Sequence, residues 1–74
     1  MNIDVKDVIT LNDNNKYVVC AVANYFDKKY YYLVDIKDNA NIKFCYEKDS
    51  NIIAEVNDSE LIRNLLPLFV KNRV

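Results

Sequence analysis

The stretch "YFDKKYYYLVDI", Tyr25 to Ile36, sets a charged tripeptide, "DKK", between two runs rich in tyrosine and β-branched residues. Two such runs separated by so few residues predict a β-hairpin. Alternation along "YYYLVDI" places Tyr30, Tyr32, Val34 and Ile36 on one face and Tyr31, Leu33 and Asp35 on the other. Both faces are largely apolar, so this strand belongs at the centre of a sheet.

The neighbouring segments extend the same pattern. Upstream, "YVVCAVANYF" (Tyr17 to Phe26) follows the turn-forming "NDNNK" and a β-branched run from Val5 to Leu11. Strict alternation puts Tyr17, Val19, Ala21, Ala23 and Tyr25 on one face and Val18, Cys20, Val22, Asn24 and Phe26 on the other. Downstream, "KDNAN" (Lys37 to Asn41) reads as a loop and "IKFCYEK" (Ile42 to Lys48) as a fourth strand. "DSN" (Asp49 to Asn51) then reads as a turn and "IIAEV" as a short fifth strand. Connections this short join antiparallel strands, since parallel pairs need crossovers of a dozen residues or more.

The period changes in "NDSELIRNLLPLFVKNRV". Asn57, Asp58 or Ser59 can cap a helix start, Glu60 sits where the helix dipole favours an acid, and Leu61, Ile62, Leu65, Leu66 and Phe69 share one stripe. Pro67 has no N–H for the carbonyl of Arg63, which predicts a stop or kink there with "LFVKN" as a last turn or tail. The 74 residues thus predict a single small α+β domain, residues 1–74: an antiparallel meander of about five strands, strongly curled, with one C-terminal helix packed on one face. One helix covers one face of such a sheet. The second apolar face needs either curling or a partner, and its candidate interaction residues are Val18, Val22, Tyr31 and Leu33.

Composition narrows the chemistry. Ten basic and eleven acidic residues leave a net charge of −1, which supplies no overall field for nucleic acid or an anionic membrane. The start, "MNIDVKDVIT", lacks a basic flank followed by a long apolar run, so the expectation is a cytoplasmic chain without membrane association. Cys20 and Cys45 lie far apart in strand-like runs and are expected to be buried, reduced thiols. Glycine is absent, so turns that need a positive φ are expected to use the eleven Asn and eight Asp.

No constellation for catalysis stands out. Histidine is absent, which removes the common general base and zinc ligand, and without glycine no phosphate-cradling loop forms. Ser50 and Ser59 read as turn and cap residues, and Asp35, Asp38 and Asn41 lack the spacing of a calcium loop. The expectation is a chain that is not an enzyme and carries no cofactor or metal. Exposed tyrosines can stack bases, with Lys28, Lys29, Lys37 and Lys43 near enough for phosphates. Those lysines alternate with Asp27, Asp35 and Asp38, however, and form no basic stripe. The favoured reading puts Tyr30 and Tyr32 in the core under the helix, with Tyr31 partly exposed and its hydroxyl in water.

The stretches "VANYFDKKYYYLVDI" and "NIIAEVNDSELIRNLLPLF" resemble the YrzB-like family, small uncharacterised cytosolic proteins of Gram-positive bacteria. The shared order is an aromatic strand, a charged hairpin turn, a Tyr/Leu-rich strand, a variable loop, a short apolar strand and an acid-capped C-terminal helix. The likeness covers roughly two-thirds of the chain. It departs at "KDNANIKFCYEKDSN", which stands where relatives tend to be strongly acidic. The resemblance implies the fold and no activity. The functional expectation is therefore a non-catalytic interaction or self-association module with a protein partner or a second copy. RNA or single-stranded DNA binding through an aromatic sheet face is the alternative.

Overall fold

The computed structural model describes residues 3–49 and 52–72. Strands β1 (Val8–Thr10), β2 (Lys16–Tyr25), β3 (Lys28–Asp35), β4 (Ile42–Asp49) and β5 (Ile52–Glu55) precede helix α1 (Ser59–Asn72). The strands form one antiparallel sheet in sequence order, curled as a half-barrel. The turn read at Asp49 to Asn51 lies largely outside the described residues.

The central hairpin closes one residue earlier than "DKK" suggests. Tyr25 pairs with Lys28, and the two loop residues Phe26 (φ 49°) and Asp27 (φ 64°) are both left-handed, the pattern of a type I′ turn. Asp27 and Asn14 (φ 66°) bear out the expected use of Asp and Asn in place of glycine, while Lys6 (φ 77°) and Phe26 do not. A left-handed conformation costs a residue with a bulky Cβ substituent about 1–2 kcal/mol. Phe26 is 82% exposed, and its ring meets only Tyr25 edge-on at 4.5 Å among the aromatic contacts described. Phe26→Asn is therefore expected to stabilise the protein by about 0.5–1 kcal/mol, seen as a higher urea midpoint. An unchanged or lower midpoint would show that the ring contact outweighs the backbone cost.

One irregularity overturns the strict alternation read for the second strand. Val19 lies opposite Leu33 and Ala21 opposite Tyr32, so Cys20 is an extra residue in a β-bulge. Tyr17 and Val19 consequently face one side, while Ala21 and Ala23 face the other. The first side gathers Ile3, Tyr17, Val19, Tyr31, Leu33 and Cys45, with Ile9, Leu11, Val22 and Ile53 packed around them. The second gathers Ala21, Ala23, Tyr30, Val56, Leu65 and Phe69, with Tyr32, Phe44 and Leu61 among the half-buried neighbours.

Helix α1 lies over the second cluster. Asp58 caps it, accepting the N–H groups of Glu60 (3.0 Å) and Leu61 (3.3 Å) on Oδ1. Alanines at 21 and 23 let the helix approach β2, and Phe69 meets Tyr32 edge-on at 5.8 Å and Phe44 at 6.0 Å. The expected stop at Pro67 does not occur, because the helix runs on to Asn72. Pro67 is exposed, so the carbonyl it leaves without a donor lies on the solvent side, and Leu65 and Phe69 pin the helix on both sides of it.

Candidate docking surface

The residues read from the sequence as an interaction face do not form one. Tyr31 and Leu33 have no exposed surface, Val22 is half-buried against them, and Val18 lies on the opposite side because of the bulge at Cys20. Two devices close this face. The sheet curls, and the segment before β1 continues its edge pairing with β2 as far as Val19 and then turns at Asp4 to Asp7. There the Lys6 N–H donates to the Val19 carbonyl and the Val19 N–H to the Asp7 carbonyl, both at 2.8 Å. Ile3 is inserted into the cluster, and Lys29 Nζ donates to its carbonyl at 3.0 Å.

Polar groups at the rim are satisfied internally. The Tyr31 hydroxyl, expected in water, donates to Glu47 Oε2 at 3.1 Å, and burial together with that bond raises its pKa. Lys43 pairs with Glu55 at 3.4 Å, and the glutamate's charge raises the lysine's pKa. At the other end, the Tyr17 hydroxyl donates to Asp13 Oδ2 at 2.6 Å and accepts from Asn41 Nδ2 at 3.1 Å, while Asn41 also donates to Asp35 Oδ2 at 3.1 Å. The Tyr17 bond lowers the Asp13 pKa, so its contribution is present at neutral pH and lost in acid as the carboxyl takes up a proton. Asp35 and Asp38 accept the N–H groups of Lys37 (2.8 Å) and Ala40 (3.0 Å), which makes them turn-builders. Among the described residues no group of three or more His, Cys, Asp or Glu is placed to hold a metal ion.

Little of the tyrosine triplet is open to solvent. Tyr30 and Tyr31 are buried, Tyr32 is half-covered by Phe69, and the nearby lysines sit over rings: Lys28 over Tyr46 at 5.2 Å and Lys29 over Tyr31 at 5.6 Å.

Unburied apolar surface instead lies beside the helix. The pairings Val8↔Val18, Val18↔Val34 and Val34↔Ile42 set four β-branched side chains in a row across β1 to β4. The row faces the same side as Tyr32 and helix α1. Beyond it stands Ile36, whose N–H donates to the Lys16 carbonyl at 3.1 Å. Helix α1 covers the hairpin half of this face and stops short of the row, presenting Leu66 and Val70 toward it. Val8, Ile36, Ile42, Leu66 and Val70 are between 40% and 61% exposed. Between row and helix runs a groove of about 410 Å³, whose lining includes Cys20, Ala21, Tyr32, Val34, Leu66 and Val70. Lys16 and Arg63 stand at its margins by strand and helix spacing, and no charged side chain lines it.

Comparison with protein-family models, curated proteins and solved structures finds no match. Among the described residues no helix is long and apolar enough to cross a membrane.

Sequence reasoning missed Val8, Ile36, Ile42 and Val70 as surface residues. A signal was present in the helix: Leu61, Ile62, Leu65, Leu66, Leu68, Phe69 and Val70 span an arc of roughly 200°, about twice what a core-facing stripe needs. The strand row carried no such signal, because strand pairing decides which residues align.

The cysteines give a check on this geometry. Both are free; Cys45 is buried under Tyr31 and Leu33, and burial pushes its thiol up to about 11, while Cys20 is half-buried in the groove. A thiol reagent at pH 8 is expected to label Cys20 in native protein at least tenfold faster than Cys45. Equal rates would contradict the burial of Cys45.

Proposed function

We propose that the chain is a non-catalytic, cytoplasmic protein-interaction module that docks a protein on the surface formed by the Val8–Val18–Val34–Ile42 row, Ile36 and the Leu66/Val70 flank of helix α1. The observation that supports this reading is the size of the patch. Val8, Ile36, Ile42, Leu66 and Val70 are left 40–61% exposed beside the groove and together present about 400 Å² of surface, the size of patch that on a monomer often marks a contact site. The near-zero net charge favours contact by shape over electrostatic capture.

A photo-crosslinking amino acid placed at Ile36, with Asn24 on the far hairpin as control, tests the reading in the native host. Discrete protein adducts at position 36 and none at 24 are expected. Equal yields at both positions, or nucleic acid in the adduct, would overturn it.

A further inference from the structure

We infer that residues 3–7 form a displaceable strap, which swings off the folded sheet as a unit and gates the apolar face of Val22, Tyr31 and Cys45. The segment is a bridge with one buried foot. Ile3 is 5% exposed within the cluster of Tyr31, Leu33 and Cys45, whereas Asp4, Lys6 and Asp7 are exposed and Val5 is half-buried. Its ties to the sheet are the backbone bonds of Lys6 and Asp7 with Val19 and the bond from Lys29 Nζ to the Ile3 carbonyl. Three further bonds are internal to it: the Asp4 N–H donates to Asp7 Oδ2 at 2.9 Å, the Val5 N–H to Asp4 Oδ1 at 2.8 Å and the Asp7 N–H to the Asp4 carbonyl at 3.1 Å. These travel with the strap, so opening leaves them intact.

Two features favour opening at this stretch. Lys6 is left-handed (φ 77°), a cost for a residue with a Cβ that release of the strap removes. The surface laid bare is small, because Leu33 lies beside the rows of Ile9 and Tyr17, which stay paired in β1 and β2. A segment with one buried side chain and exposed backbone bonds opens well below the free energy of global unfolding. Lys29 is the latch: its ammonium lies 5.6 Å from the centre of the Tyr31 ring and also donates to Ile3, so it ties the foot of the strap to the residue it covers. The open form is then populated on the order of 1%, against roughly 0.02% unfolded for a domain this small. Cys45 reports the opening, since it pairs with Tyr31 and shares the cluster with Ile3.

Iodoacetamide labelling of Cys45, read by mass spectrometry of its peptide at urea concentrations below the unfolding transition, tests the strap. The expected rate is about a hundredth of that in the denatured chain and flat in urea, because opening exposes little surface. The amides of Lys6 and Val19 should exchange with the same open population. Ile3→Ala should raise Cys45 labelling at least tenfold, and Lys29→Met about tenfold, each with an unchanged circular dichroism spectrum. Leu61→Ala, on the helix side, should lower the urea midpoint and leave the flat labelling rate as it was. Lys29→Met keeps the core side chains in place, so it decides the matter if Ile3→Ala does not fold. Labelling and exchange that climb with urea from the start, along the slope of global unfolding, would overturn the strap. So would an unchanged Cys45 rate in Lys29→Met, or a Leu61→Ala effect on that rate as large as the effect of Ile3→Ala.

Discussion

Replacing Leu33 by lysine is expected to unfold the protein, with loss of the strand signal in circular dichroism and of a sigmoidal urea transition. Leu33 has no exposed surface and sits among Tyr17, Val19, Tyr31 and Cys45. Its cross-strand neighbour is Lys43, whose ammonium is already paired with Glu55, so a second cation there adds like-charge repulsion. An uncompensated buried charge costs about 3–5 kcal/mol, and the lost leucine burial adds about 2 kcal/mol. Together these match or exceed the roughly 5 kcal/mol that a domain of this size has available. The contrast with Ile42→Lys is the informative one: the same substitution at a side chain 40% exposed on the row beside the helix should preserve the fold. A folded Leu33→Lys protein would show that water reaches this face and that the segment carrying Ile3 does not close it.

Phe69→Ala is expected to cost about 3–5 kcal/mol, through lost burial and a cavity between Tyr32, Phe44 and the helix. The urea midpoint should fall to a small fraction of its original value. The neighbouring Val70→Ala, on the exposed flank, should change stability by less than about 0.5 kcal/mol in the monomer. This pair tests the helix beyond Pro67. If residues 68–72 formed a loose tail, as proline alone suggests, both substitutions would be silent. A midpoint for Phe69→Ala equal to that of the parent would remove the last turns of α1 from the core.

Strand count, strand order and the C-terminal helix were legible because each rests on local signals. Period-2 alternation marked "YYYLVDI", turn formers marked "NDNNK" and "KDNAN", and the change of period at "NDSELIRNLL" marked the helix and its Asp58 cap. The placing of Tyr30 and Tyr32 under that helix also followed from alternation within a regular strand. What failed did so where one residue changes the geometry of its neighbours. The bulge at Cys20 inverted the facing of residues 17–19 relative to 21–25, which moved Val18 to the helix side. No residue type announces a bulge of this kind, because it is a property of two paired strands.

By itself, then, the sequence determined which segments are strands and which is a helix, and that both sheet faces are apolar, since backbone preference and hydrophobic period act over a few residues. Only the tertiary structure decided which apolar face stays open. The face of Tyr31 and Leu33 is closed by Ile3, at least 28 residues away along the chain, while the helix that covers the other face sits on Ala21 and Ala23 and ends before reaching Val34 and Ile42. Those outcomes depend on where distant segments come to rest, and contacts between residues far apart in sequence leave no periodic mark on either one.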